Sequence, residues 1–184
     1  MNRTDAVVRL VEDLGLRPPF LLAIDGRCAA GKTTLAGRLA KEWDCGVIHI
    51  DDFYLPFPLR TKEQMAKPGG NIEFDRLLRE VILPLRDGRP AVWRPYDCHR
   101  DRFFPAQRLD PGGITILEGA YSCHPRLAEY YSCRIFLDIS PAAQLERLRL
   151  RDMDSLDAFL QTWIPREESY FESLGIRARC DLVL

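Results

Sequence analysis

The chain has 184 residues, 46% hydrophobic and 29% charged, with a formal net charge of −1. That length suits one domain with a sizeable core. The near-neutral balance gives no global attraction to nucleic acid or to a membrane surface. No run of about 18 apolar residues marks a membrane span. Arg3, Asp5, Arg9, Glu12 and Asp13 speak against a secretory leader. The six cysteines, at 28, 45, 98, 123, 133 and 180, form no C-x-x-C pair. They read as reduced thiols of a cytoplasmic protein.

In chain order, Thr4 is a candidate cap for a helix with the apolar face Val7, Val8, Leu10, Val11 and Leu14, stopped at Gly15. That face, like Trp163, suits either the core or a homo-oligomer interface. A strand follows at 20–25, and then Gly26-Arg27-Cys28-Ala29-Ala30-Gly31-Lys32-Thr33-Thr34. This is G-x-x-x-x-G-K-T between a strand and a helical run, the phosphate-binding loop of P-loop nucleotide enzymes. Its glycines let successive N–H groups face an anion, and the helix adds its positive end. Lys32 is expected at the β- and γ-phosphates and the Thr33 hydroxyl on Mg²⁺. Cys28 is either an oxidation-sensitive thiol or a small loop filler.

Further strands are predicted at 46–50, 91–93, 114–117, 134–138 and 181–184. Apolar residues from Phe74 to Leu85 recur at helical spacing. Pro141 opens another helix toward Arg151, and a last long helix from Leu156 to Leu174 carries Pro165 as a kink. Short apolar strands alternating with amphipathic helices predict an α/β fold: a parallel, five-stranded sheet in three α/β/α layers. The whole chain, 1–184, reads as one domain with a short lid near 147–157.

Ligands on such sheets bind outside the carboxyl ends of the strands. Asp51 follows the second strand and is the candidate base for an acceptor hydroxyl, or the cap of a turn. Glu118, after strand 114–117, is a candidate Mg²⁺ ligand. Asp138 is either a weaker candidate or a surface aspartate. Arg147 and Arg151, four apart on one helix, either clamp a transferring phosphate or pair with Glu146 and Asp152 in solvent. The loop from Arg94 to Arg102 holds Tyr96, His99 and Arg100, and either contacts substrate or is plain surface.

Together these segments resemble the uridine kinase family of P-loop kinases, which is related to phosphoribulokinase and bacterial pantothenate kinase. The resemblance is carried by Asp51-Asp52-Phe53-Tyr54, Phe74-Asp75, Pro95-Tyr96-Asp97, Ile116-Leu117-Glu118-Gly119, Leu137-Asp138 with Arg147 and Arg151, and Cys180-Asp181-Leu182-Val183. It implies nucleoside kinase-like phosphorylation of a hydroxyl using ATP or GTP with Mg²⁺. It assigns Asp51 as base, places Tyr54, Tyr96 and His99 at the acceptor, and puts Arg147 and Arg151 near phosphates. Two departures touch the acceptor side. His99 stands closer to Tyr96-Asp97 than the family's histidine does, and the lid lacks the family's further arginines. Uridine or cytidine is the implied acceptor, with a pantothenate, nicotinamide riboside or sugar-type metabolite as the alternative. A non-catalytic nucleotide switch is the third reading. Asp110-Pro111-Gly112-Gly113 gives D-x-x-G spacing but precedes a strand, and no N-K-x-D base reader exists.

Overall fold

The computed structural model describes residues 2–98, 100–151, 153 and 155–184. The strands are β1 (Phe20–Gly26), β2 (Gly46–His49), β3 (Ala91–Trp93), β4 (Tyr96–Asp97), β5 (Arg102–Phe103), β6 (Gln107–Leu109), β7 (Ile114–Glu118), β8 (Cys133–Leu137) and β9 (Leu182–Val183). The α-helices are α1 (Arg3–Asp13), α2 (Lys32–Trp43), α3 (Lys62–Met65), α4 (Phe74–Leu77), α5 (Leu83–Arg86), α6 (Pro141–Arg151), α7 (Leu156–Ala158) and α8 (Ile164–Ser173). Wider π-type turns at Leu78–Ile82 and Phe159–Trp163 join α4 to α5 and α7 to α8. The predicted kink at Pro165 is thus a π-turn ending one residue before α8 begins, with Pro165 in the first turn, where its missing N–H is not needed.

β1, β2, β7, β8 and β9 form one parallel sheet in the order β2-β7-β1-β8-β9. Both faces are buried, as the continuous apolar strands require. Leu22 and Ile24 of β1, Ile116 of β7, and Ile135 and Leu137 of β8 pack with Val7, Leu35 and Leu39 of α1 and α2. Ala23, Leu117 and Phe136 face the other way, onto Phe53, Leu77, Trp93 and Tyr170. The alternation of two apolar faces gives the three-layer α/β/α arrangement expected from the sequence. Val7 and Val11 of α1 are core residues; Trp163 stays half-buried against Tyr54, with ring centroids 6.2 Å apart.

One helix start differs from expectation. Asn2, not Thr4, caps α1: its side chain accepts from Asp5 N–H and the Asp5 carboxylate accepts from Asn2 N–H. Thr4 is buried instead. β3 pairs antiparallel with β6, and β4 with β5, so the 91–109 segment forms two small ribbons outside the main sheet. No helix among the described residues is long and apolar enough to cross a membrane.

Candidate active site

Sheet register sets the site. Ile24 stands beside Glu118, His49 beside Glu118, and Gly26 beside Leu137, so four strands end near one level. The phosphate loop leaves β1 there. Gly26 has φ +131°, and a Cβ on it would stand 2.1 Å from Leu137 O. Only glycine lets this backbone pass so close to β8.

Five successive loop carbonyls, from Gly26 to Ala30, accept from side-chain donors. Lys32 Nζ donates to Gly26 O (2.7 Å) and Arg27 O (2.9 Å). Gln144 Nε2 donates to Cys28 O (3.1 Å), Arg147 to Ala29 O (3.1 Å), and Arg3 to Ala30 O (2.6 Å). The N–H groups of Arg27, Cys28 and Ala30 are also bonded, to Leu137 O, Glu167 and Arg27 O, which leaves those of Ala29 and of the first turn of α2 for an anion. No side chain caps α2, whose N-cap is Gly31 in the left-handed region. Its first N–H groups and its positive end therefore suit an anion, and the residues present fit a nucleotide's phosphates.

Beside the loop, Thr33 Oγ1 donates to Glu118 Oε1 at 3.0 Å. His49 Nδ1 lies 2.6 Å from the same oxygen, and this bond raises the His49 pKa. Thr33 and Glu118 thus meet as a candidate metal-binding pair. No cluster of three or more acidic, histidine or cysteine ligands exists among the described residues. That donor set fits Mg²⁺, which takes one or two protein ligands and completes its shell with phosphates and water.

Asp51 stands in the tight turn Ile50–Phe53 directly after β2. Asp51 is exposed to solvent. The surrounding protein raises its pKa, and the Glu118 charge adds to this; Lys32 opposes it and the Tyr54 side chain hydrogen-bonds to it. Asp51 and Tyr54, both singled out from the sequence, are therefore brought together. Asp52 accepts from Trp93 Nε1 at 2.9 Å and braces the β3 ribbon.

The remaining sequence candidates divide. Arg147 reaches the phosphate loop, while Arg151 is exposed at the end of α6. Tyr96 is buried, bonding Asp101 and accepting from Phe57 N–H. Arg100 is exposed and its N–H donates to Asp97 (3.2 Å) on its own loop. His99 lies outside the described residues. Asp138 is engaged structurally: it accepts from Arg27 Nη1 (2.6 Å) and pairs with Arg177 (3.2 Å). Burial pushes the Cys28 thiol up to about 12, so it fills the loop as an unreactive group. All six cysteines are free thiols.

Sequence reasoning passed over three residues. Asp25 is fully buried and accepts N–H bonds from Gly26 (2.7 Å), Tyr121 (3.2 Å) and Cys123 (2.8 Å), and the Tyr170 hydroxyl (2.8 Å). Glu167 Oε2 accepts from Cys28 N–H at 2.9 Å. Gln144 holds the same peptide from α6. The available signal was a carboxylate at position 167 on the helix face shared by Trp163, Tyr170 and Phe171.

The three-layer fold with this loop at the sheet's carboxyl edge is that of P-loop kinases. Within that class the chain is similar to uridine kinases. Uridine kinase from Deinococcus deserti is 28% identical over 145 residues, covering 73% of this chain and 69% of that protein. Uridine-cytidine kinase B from Dictyostelium discoideum is 25% identical over 148 residues, covering 73% and 59%. The solved structure of a possible uridine kinase from Bacillus stearothermophilus superposes with a TM-score of 0.74 at 19% identity, covering 99% of this chain and 97% of that one. No family model matches the chain. The chain spans less than two thirds of several curated relatives, 59% of one and 31% of another.

Proposed function

We propose that the chain is an ATP-dependent small-molecule kinase that moves a γ-phosphate onto an acceptor hydroxyl. The observation that carries this reading is Glu118, which joins Thr33 of the phosphate loop (3.0 Å) to His49 (2.6 Å), two residues before Asp51. Bound MgATP supplies the phosphoryl group, with the metal neutralising phosphate charge as it moves. The backbone N–H groups of Ala29 and of the first turn of α2, with Lys32, would hold the phosphates, and Thr33 and Glu118 would hold the metal. Asp51 takes the proton as the acceptor's O–H bond breaks. A new O–P bond forms, and the old bond to the β-phosphate oxygen opens, leaving ADP. Tyr54 orients the carboxylate, and Arg147 stands beside the loop at Ala29 to meet charge on the transferring group.

Uridine and cytidine are the first acceptors to test, because the curated relatives carry those names. A second reading, another hydroxyl metabolite, is favoured by two cations that line the cavity next to Tyr54. Acceptor-dependent release of ADP from MgATP is the test. Nucleotide binding with no release across a panel of nucleosides, hydroxy acids and sugar phosphates would overturn the kinase reading.

A further inference from the structure

A cavity of about 440 Å³ opens between residues 65–71, Tyr121 and one face of the 161–169 helix. Its wall is bonded to the segment that carries the candidate base. Leu55 N–H donates to Asn71 O at 2.8 Å, and Tyr54 bridges to Ile72. Tyr121, on the opposite wall, lies within reach of the Asp51 charge.

The lining has a marked chemical bias. Lys67 and Arg166 line the cavity, and none of its lining side chains among the described residues is a carboxylate. Lys67 Nζ meets only the neutral Gln64 Oε1, at 3.2 Å. Arg166 lies over the Trp163 ring, 5.9 Å from its centroid. Neither makes an ion pair among the described residues. Two further lining residues, Asn71 and Tyr121, are 4% and 2% exposed. Asn71 Nδ2 and the Tyr121 hydroxyl have no partner among the described residues. Both atoms are closed off from solvent, so they lie behind the cavity surface and not on it.

We propose that this cavity binds the phosphoryl acceptor, and that the acceptor carries an anionic oxygen group, a carboxylate or a phosphate, held by Arg166 and Lys67. This rests on the kinase reading above and selects against neutral nucleosides. The anionic group would sit at the cations, with the acceptor's free hydroxyl turned to the segment that carries Asp51. A guanidinium can bond such a group through two N–H groups at once.

Calorimetry on the intact chain tests it with matched probes: glycerate against glycerol, and ribose 5-phosphate against ribose, with uridine as a further neutral. The glycerate and ribose 5-phosphate arms separate a carboxylate from a phosphate. The anionic member of at least one pair should bind at millimolar concentration or tighter, and its neutral partner at least about tenfold more weakly. Arg166→Ala and Lys67→Ala should each weaken the anionic probe by about tenfold or more. Arg166→Lys should recover part of the loss, and thermal melting of each variant reports folding. Equal binding of neutral and anionic probes, no binding of either anion, or folded variants with unchanged affinity would overturn the proposal. ADP release is measured with the same compounds. Anion binding without release counts against the kinase reading alone; release with neutral acceptors only counts against the anionic acceptor alone.

Discussion

Glu167 of α8 and Cys28 of the phosphate loop are 139 residues apart in sequence, yet Glu167 Oε2 accepts the Cys28 backbone N–H at 2.9 Å. Gln144 of α6 holds the same residue through its carbonyl and its Sγ, each at 3.1 Å. The loop's third position is therefore fixed from two helices on the far side of β8.

Glu167 also makes stability depend on pH. Burial raises its pKa from the ordinary 4.5 to about 7, against the pull of Lys32 and the Cys28 N–H; Asp25 adds to the rise. Neutral Glu167 is thus favoured by the fold. This stabilising contribution is fully present below the unfolded value of about 4.5 and is lost as pH rises through about 7. Glu167→Gln keeps the shape and removes the charge. Its melting temperature should gain on that of the parent as pH rises through this window, with the difference levelling off above it. Parallel curves for the two proteins would show that Glu167 does not titrate there.

Asp51→Asn should lower kcat by about 10²–10⁴-fold with an acceptor that the parent turns over, as loss of a general base does. Because the surrounding protein raises the Asp51 pKa, the acid limb of the kcat/KM profile should lie above the usual carboxylate range. Activity should fall as pH drops through that limb. A variant with near-parent kcat at saturating acceptor would remove Asp51 from the base role.

Lys32→Ala should weaken MgADP binding by about 10–100-fold. A charged hydrogen-bonding group at the phosphates is worth roughly 1.5–3 kcal/mol. Titration calorimetry reads this without knowledge of the acceptor. The variant also frees Gly26 O and Arg27 O, so a lower melting temperature should accompany the loss. Unchanged affinity would separate Lys32 from the phosphates.

Thr33→Val removes the hydroxyl that meets Glu118 and keeps the side-chain volume close. The Mg²⁺ concentration for half-maximal rate should rise severalfold, and chelation of the metal should abolish turnover in both proteins. An unchanged Mg²⁺ requirement would place the metal elsewhere.

Much of this was legible in the chain itself, for reasons that are local. β1, the Gly26–Thr33 loop and α2 follow from an apolar run, obligatory glycines and 3.6-residue spacing, which neighbouring residues settle among themselves. Asp51 and Glu118 were found because both follow predicted strands, and parallel strands deliver their carboxyl ends to one edge. Asn2 was overlooked as a cap because its partner Asp5 reads equally well as a surface charge. The neighbours of the cavity proposed for the acceptor were harder. Asn71, Arg166 and Lys67 lie in segments with no shared spacing, and nothing local shows that 65–71 folds against 161–169.

The sequence by itself determined the phosphate loop, the alternating α/β order and the carboxylates at the strand ends, since each depends on residues close together along the chain. Only the tertiary structure decided what holds the loop and what faces the acceptor. Those contacts join the phosphate loop to α6 and α8 across more than a hundred residues. Burial, which sets the charge state of Glu167 and leaves Asn71 and Tyr121 unpaired, exists only once distant segments pack.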